Sequence, residues 1–516
     1  MNELLKGKRF PEQLFLFAAI AFAVGLSTSK IILSISTMLM VLALIWNKDY
    51  SSFRTKLKTQ PVFLPLLVYL GLHVVALLWT SDFAYASNDL KTKLTILIIP
   101  TAFLLHPLEK NAIKLVLLFF VASVGFTSVF NVLAWHQVFG AKVYTDIREL
   151  SLFGSHIRYG ILVAMAAAIC LLNLKDSKGP IRWTYLVLFG WFTYYTYFSQ
   201  IVSGVLALIV VILALIFWAT YQRSRFLAYL SLIIPFALLL IAFASLISSN
   251  QKGDPAQFKT LPNVTVNGNP YTHNMEPGTF IDGKPVLAFL CEEELRDSWN
   301  RTSNLSYDSL DEKGQPVRFT LMRFLTDLNA RKDSVGFQKL NKGDISLIEK
   351  GIASREEGEG GLWARWNGVK FQLQNNIDPN GHSMLQRIEY WKTAWKIIQK
   401  NYLIGVGTGD VQQAFDWQYA QDNSRLLPEY RLRAHNTYLT SWISFGIFGL
   451  VILIWMILSF ITSSLKNTSP LAFVFMLVAA STFILEDTLE TQMGASFFAF
   501  FYGLFCSEER KTKDSF

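Results

Sequence analysis

Residues 202–220 read VSGVLALIVVILALIFWAT, a run without one charged side chain. At 1.5 Å per residue a helix of that length covers roughly 28 Å, close to the roughly 30 Å hydrocarbon thickness of a bilayer. A helix on the surface of a soluble domain would break such a run with polar residues at helical spacing. The stretch therefore reads as a membrane-spanning helix, and the rest of the chain is read outward from it.

Immediately upstream, Ser199-Gln200 separates it from an aromatic-rich apolar run. Downstream, Arg223 and Arg225 precede another. Extending the same reading gives about twelve candidate spans, near 12–28, 31–46, 61–79, 94–106, 112–135, 157–173, 183–198, 202–220, 226–248, 437–461, 470–485 and 492–506. The composition agrees: 52% of residues are hydrophobic and only 16% charged, where a soluble domain carries about a quarter. The first run, Leu14 to Leu26, is followed by Lys30 and a second run with no small-residue cleavage site, so it reads as a retained helix.

The formal net charge of +9 could point to nucleic acid in a soluble protein. Here the basic residues sit in short gaps between apolar runs, where they orient the chain instead: Lys6, Lys8 and Arg9, then Lys48, Arg54, Lys56 and Lys58, then Lys175, Lys178 and Arg182, Arg223 and Arg225, and Arg510 and Lys511. With the N-terminus inside, about 18 Lys or Arg lie on the inner side and about five in the short outer loops. Both termini are then cytoplasmic. The polar stretch 249–436 faces outward and is long enough for its own small core. Its tryptophans (Trp299, Trp363, Trp366, Trp391, Trp395) and helical patterns around 285–299, 319–331 and 344–353 argue for a folded unit. The expected fold is an all-α membrane protein with about twelve transmembrane helices and a large, mostly helical extracytoplasmic loop domain. Residues 1–248 hold about nine spans and residues 437–516 about three. Cys170, Cys291 and Cys506 make neither a disulfide framework nor a metal pattern.

The chemistry is sought where polar groups meet a span from outside. Arg431-Leu-Arg433-Ala-His435-Asn436-Thr-Tyr438 runs into an apolar helix, placing a histidine at its outer mouth. Neighbouring arginines lower an imidazole pKa and Glu429 opposes them; a neutral imidazole is what a general base needs. The competing reading is a histidine that only hydrogen-bonds at the interface. Arg387 lies on a segment where Arg387, Trp391, Trp395 and Ile398 share a helical face, as in a helix lying on the membrane interface. Arg158, in Gly154-Ser-His156-Ile-Arg158, enters a span from outside, where an arginine is costly unless paired or wet. Snorkelling to the surface is the plainer account of both arginines. Glu486, Asp487 and Glu490 form an acidic group between the last two spans, read here as a solvated loop. Gly405-x-Gly407-x-Gly409 lacks a strand-turn-helix frame and reads as a turn.

These motifs carry a resemblance. His435 followed by ten residues and Gly446, inside His-Asn-Thr-Tyr-Leu and then Phe-Gly-Ile-Phe-Gly-Leu, resembles a block of the O-antigen ligase/polymerase family. So do the Arg387-Ile-Glu-Tyr-Trp391 element and the glycine turn upstream, together covering about 385–450. The resemblance implies a metal-independent, cofactor-free glycosyltransferase of the bacterial inner membrane with a periplasmic loop. It would move a glycan from an undecaprenyl-diphosphate carrier to an acceptor hydroxyl, with lipid A-core favoured and no nucleic-acid partner. It implies His435 as base and Arg387 on the diphosphate, with Arg158, Arg431 and Arg433 as further diphosphate contacts. Where that family often has Ser-Arg, this chain has Ser199-Gln200, which brings no charge. A polymerase or a protein-glycosylating enzyme would share this chemistry. From another class, a lipid or glycan flippase would explain many helices and an intramembrane arginine, but not the long outer loop ending in a histidine.

Overall fold

The structure is a computed structural model. It describes residues 7–47, 51–140, 151, 155–248, 261–274, 280–281, 284–312, 314–359, 379–380 and 383–506. Lys6, Lys48, Gly154, Trp363, Trp366, Arg510 and Lys511, used in reading the sequence, lie outside these residues. The described chain is mostly helical and divides into two compact units, Met1–Ile234 with Arg387–Phe516, and Pro235–Gln386.

The first unit opens with α1 (Phe10–Thr28), α2 (Lys30–Trp46), α3 (Ser51–Thr59) and α4 (Phe63–Val75), the last ending in a short 3-10 turn, Ala76–Trp79. Then come α5 (Phe83–Leu105), α6 (Lys110–Trp135), α7 (His156–Asp176), α8 (Gly179–Phe198), α9 (Val202–Tyr221) and α10 (Arg225–Ser248), which passes into the second unit at Pro235. Among the described residues, five helices are long and apolar enough to cross a bilayer: α1, α6, α7, α9 and α18 (Thr437–Lys466). A sixth is added if the pair Phe53–Thr59 and Phe63–Trp79, bent by 111°, counts as one span. Several of the remaining expected spans are apolar but shorter: Lys30–Trp46, Arg225–Pro235, Pro470–Leu485 and Gln492–Cys506. The helix around the expected span 94–106 starts earlier, at Phe83, and so includes the polar residues Asn88, Asp89, Lys91 and Lys93.

The second unit contains α11 (Glu292–Thr302), α12 (Val317–Asp327), α13 (Ser334–Phe337), α14 (Lys342–Glu349) and α15 (Arg355–Glu359), close to the expected helical patterns. Two two-residue strands, Phe280–Ile281 and Lys284–Pro285, pair antiparallel. Its core closes on Trp299, with Leu295, Tyr307, Val317, Leu321 and Phe324 fully buried around it. Glu294 is buried there, and accepts from Thr265, Asn269 and Ser334; these donors outweigh its desolvation and bring its carboxyl down to about 2. The contact boundary at Gln386 falls inside the stretch 249–436 read as a single domain. Residues 387–436 pack with the first unit.

The chain returns to the first unit with α16 (Ser383–Lys400), α17 (Val411–Gln421) and α18, then α19 (Pro470–Leu485) and α20 (Gln492–Cys506). The innermost helices are α7, buried continuously from Tyr159 to Cys170, and α20, buried from Met493 to Leu504. Both are rich in small residues, which lets apolar helices approach closely. A Cβ on Gly160 would lie 2.9 Å from Gly204 Cα, so α7 and α9 touch backbone to backbone there. Arg158 thus sits at the mouth of one of the two innermost helices.

Helix α18 breaks at Gly446, whose φ of 63° and ψ of −160° lie outside any helix. The break frees carbonyls that must find donors, since unpaired backbone is costly inside a bilayer. The glycine turn supplies them: Val406 N donates to Ile443 O at 2.8 Å and Gly407 N to Ser444 O at 3.0 Å. In return Ile447 N donates to Tyr402 O at 2.9 Å. A Cβ on Gly446 would come within 2.0 Å of Leu403 O, so the two strands of chain meet only because this residue has none. Asp410, just past the turn, accepts from the backbone N–H groups of Ser81 and Asp82 and ties it to the start of α5.

Candidate active site

His435 lies one residue before the N-cap of α18. The cap is Asn436, whose side chain accepts from Leu439 N at 3.0 Å. His435 itself has a φ of 46°, a left-handed conformation uncommon outside glycine. That turn brings the imidazole out of the helix line and beside the ring of Tyr390 on α16, with centroids 5.7 Å apart. The approach to it is clamped by three aromatic donors from α16 and α17. Tyr390 OH donates to Tyr430 O, Tyr419 OH to Leu432 O and Trp391 Nε1 to Ala434 O, at 2.8, 2.7 and 3.0 Å. Helix α16 therefore buries Tyr390, Ala394, Ile397 and Ile398 against this segment and leaves Trp395 about half exposed, a rotation from the face read in the sequence.

The acidic loop 486–490 between α19 and α20 is the main correction to the sequence reading. It is not solvated: Glu486 and Asp487 are 5% and 4% exposed. Asp487 Oδ1 accepts from Asn436 N at 3.1 Å and from Thr440 Oγ1 at 2.7 Å. Thr437 Oγ1 donates to Glu486 O, and Thr488 N donates to Thr437 Oγ1. The mouth of α18 and this loop are one hydrogen-bonded structure. Burying carboxylates demands partners, and cations provide them.

Arg387 donates through Nη2 to Glu486 Oε1 at 2.8 Å, while its buried Nε has no hydrogen-bond partner among the described residues. Arg433 places Nη1 3.6 Å from Glu490 Oε2, beyond a hydrogen bond, and its guanidinium lies 5.7 Å over the ring of Tyr85. The buried Nε of Arg158 has no hydrogen-bond partner among the described residues, and its guanidinium feels the charges of Glu486 and Asp487. A small cavity beside α7, lined by Ile161, Ser203, Leu206, Ser481, Thr482 and Leu485, opens onto Glu486. Arg431 is turned elsewhere, its Nε donating to Leu426 O at 3.0 Å. Of the expected residues, then, His435, Arg387, Arg433 and Arg158 surround one acidic loop, and Arg431 braces the approach segment.

On the other oxygen of Glu490 sits Lys93 from α5, only 3% exposed. Its ammonium donates to Glu490 Oε1 at 2.6 Å, Asp89 Oδ1 at 3.1 Å and Leu489 O at 2.9 Å. Burial alone would raise the Glu490 carboxyl. Lys93, a hydrogen bond with Asp89 and Arg433 outweigh it and hold the carboxyl far below the usual range.

Burial is the chief influence on His435 and lowers its pKa. Asp487 and Glu486 pull it up, and Arg387 and Arg433 push it down. The sequence reading set the arginines against Glu429 and left the balance open; burial, which it did not weigh, comes first. The outcome is an imidazole biased toward its neutral form, next to guanidinium groups with unspent donors. Such a set can accept a proton and bind an anion.

The sequence reading did not name Lys93, Asp89 or Tyr390 and set the acids aside. The available signal was charge where it is expensive: a lysine beginning an apolar run, and three acids in the six-residue loop 486–491 between two spans. Residues 360–454 match the family described as O-antigen ligase, and that segment contains Arg387, the glycine turn, Arg431, Arg433, His435 and Gly446. No curated protein matches the chain significantly.

Proposed function

We propose, with that match as premise, that the chain transfers a glycan from an undecaprenyl-diphosphate carrier to an acceptor hydroxyl on the outer face of the bacterial inner membrane, lipid A-core being the favoured acceptor. The observation that carries the reading is the grouping of a half-buried imidazole with Arg387, Arg433 and Arg158 at the mouth of a membrane helix. A lipid-borne diphosphate reaches such a place with its tail still in hydrocarbon.

The step follows from these positions. His435 takes the proton from the acceptor O–H, and the acceptor oxygen forms a bond to the anomeric carbon of the glycan. The bond from that carbon to the diphosphate oxygen breaks, and its electron pair leaves with undecaprenyl diphosphate. The guanidinium groups stabilise the charge that gathers on the leaving group, where fixed donors in a water-poor site act most strongly. Arg387 uses one donor on Glu486 and keeps others for phosphate oxygens. The Glu486 contact also holds the unliganded arginine in place, so less ordering is required when the donor binds.

Reconstitution tests this. The purified protein in liposomes, given lipid-linked glycan and lipid A-core, should form glycan-capped lipid A-core. His435→Ala should lower the rate on the order of 100-fold or more, the usual worth of a general base, at an equal amount of folded protein. Arg387→Ala should also lose transfer. Chains of repeat units in place of capped core would make the enzyme a polymerase, and full transfer by His435→Ala would remove the proposed base.

A further inference from the structure

We propose that Lys93 is a positioning residue for anion binding: by holding Glu490 from below, it keeps Arg433 available to a diphosphate. The inference rests on the transfer reading above and goes beyond it by naming a residue from a different helix and its effect on donor affinity.

Glu490 divides its two oxygens between two cations. Oε1 receives Lys93 at 2.6 Å, while Oε2 faces Arg433 at 3.6 Å. A carboxylate next to an arginine ordinarily forms a forked, two-point pair with it, as Arg355 does with Asp344 in the second unit, at 2.9 and 2.7 Å. Here that pair is prevented. Lys93 is anchored on three sides, by Glu490, by Asp89 and by the carbonyl of Leu489, so it cannot follow Glu490 upward. It draws the carboxylate down and away from the guanidinium. Arg433 also lies over the face of Tyr85, which orients the cation without using up its N–H donors. Lys93 also fixes the end of the acidic loop through the Leu489 carbonyl, and so the loop that carries Asp487 and Glu486 to the mouth of α18.

Without Lys93 the pocket loses one positive charge, and Glu490 is free to rotate onto Arg433 and close the pair. Both effects oppose an anionic donor. An uncompensated charge at this range, at an effective dielectric near 20, changes affinity on the order of tenfold or more.

The test uses the full chain in lipid nanodiscs. It measures binding of glycan-free undecaprenyl diphosphate, and KM and kcat for the lipid-linked glycan. Lys93→Met should weaken undecaprenyl diphosphate binding and raise donor KM about tenfold or more, with kcat changed much less. Lys93→Arg should stay near wild type. Because Lys93→Met leaves buried carboxylates short of a partner and can fail to fold, Lys93→Met/Glu490→Gln is the second arm. It removes both ends of the pair and should restore binding. Equal loss of kcat and KM performance in Lys93→Met, or a double variant no better than Lys93→Met, would reduce Lys93 to a structural part and overturn the inference. Wild-type protein that neither binds nor turns over the lipid diphosphate would instead defeat the transfer reading itself.

Discussion

The imidazole of His435 is set by a left-handed backbone turn and lies against Tyr390, so its titration is governed first by burial. A base works only when unprotonated. A pKa lowered from the ordinary imidazole value of 6.5 therefore keeps it competent into mildly acidic conditions. The pH dependence of kcat/KM should fall on the acid side with a midpoint below 6.5. Glu486 raises the histidine's pKa, so Glu486→Gln should move that limb to lower pH still. A pH–rate profile checks both, and a wild-type midpoint at or above the ordinary value would contradict the assignment. At this scale the sequence pointed to His435, Arg387, Arg158 and Arg433 through motif and position, and the structure brings these four to one acidic loop. The sequence did not disclose Lys93 or the acidic loop as partners. Their pairing joins residues about 400 positions apart, as Lys93 with Glu490, and no local pattern encodes that.

Helix α18 shows what the His-x10-Gly spacing is for in physical terms. The histidine sits at the mouth, and three turns later Gly446 breaks the helix so that the glycine turn can dock into its backbone. The turn in turn leads into α17, whose Tyr419 holds the carbonyl of Leu432 on the approach to His435. Gly446→Ala puts a side chain where φ is 63° and where Leu403 O is 2.0 Å from the Cβ. The backbone strain alone is on the order of 1–3 kcal/mol, and the clash adds to it. The variant should show a clearly lower melting temperature in detergent and reduced transfer. Unchanged values for both would mean that the turn and the break are not coupled. The sequence revealed the glycines and that the 405–409 segment is a turn, but not that turn and helix complete each other's hydrogen bonds. Likewise the amphipathic face of α16 was read one position away from its packed one, since Tyr390 is drawn inward by a carbonyl the sequence does not place.

For the molecule as a whole, apolar runs identified a membrane protein of helices, and that much needs only hydropathy and length. Which helices lie innermost was not legible, because α7 and α20 are no more apolar than their neighbours; their small residues decide it through close approach. The unit boundary at Gln386 was missed for a related reason: residues 387–436 are polar like the preceding loop, yet pack with the helical unit. The account as a whole requires His435, the arginines and a lipid-borne diphosphate to share the outer compartment. Labelling tests this most directly. Leu432 is 43% exposed on the segment leading to His435, and the three native cysteines are buried. In intact spheroplasts, Leu432→Cys should react with a membrane-impermeant maleimide added from outside. Reaction only after the membrane is opened to the cytosolic side would contradict the account.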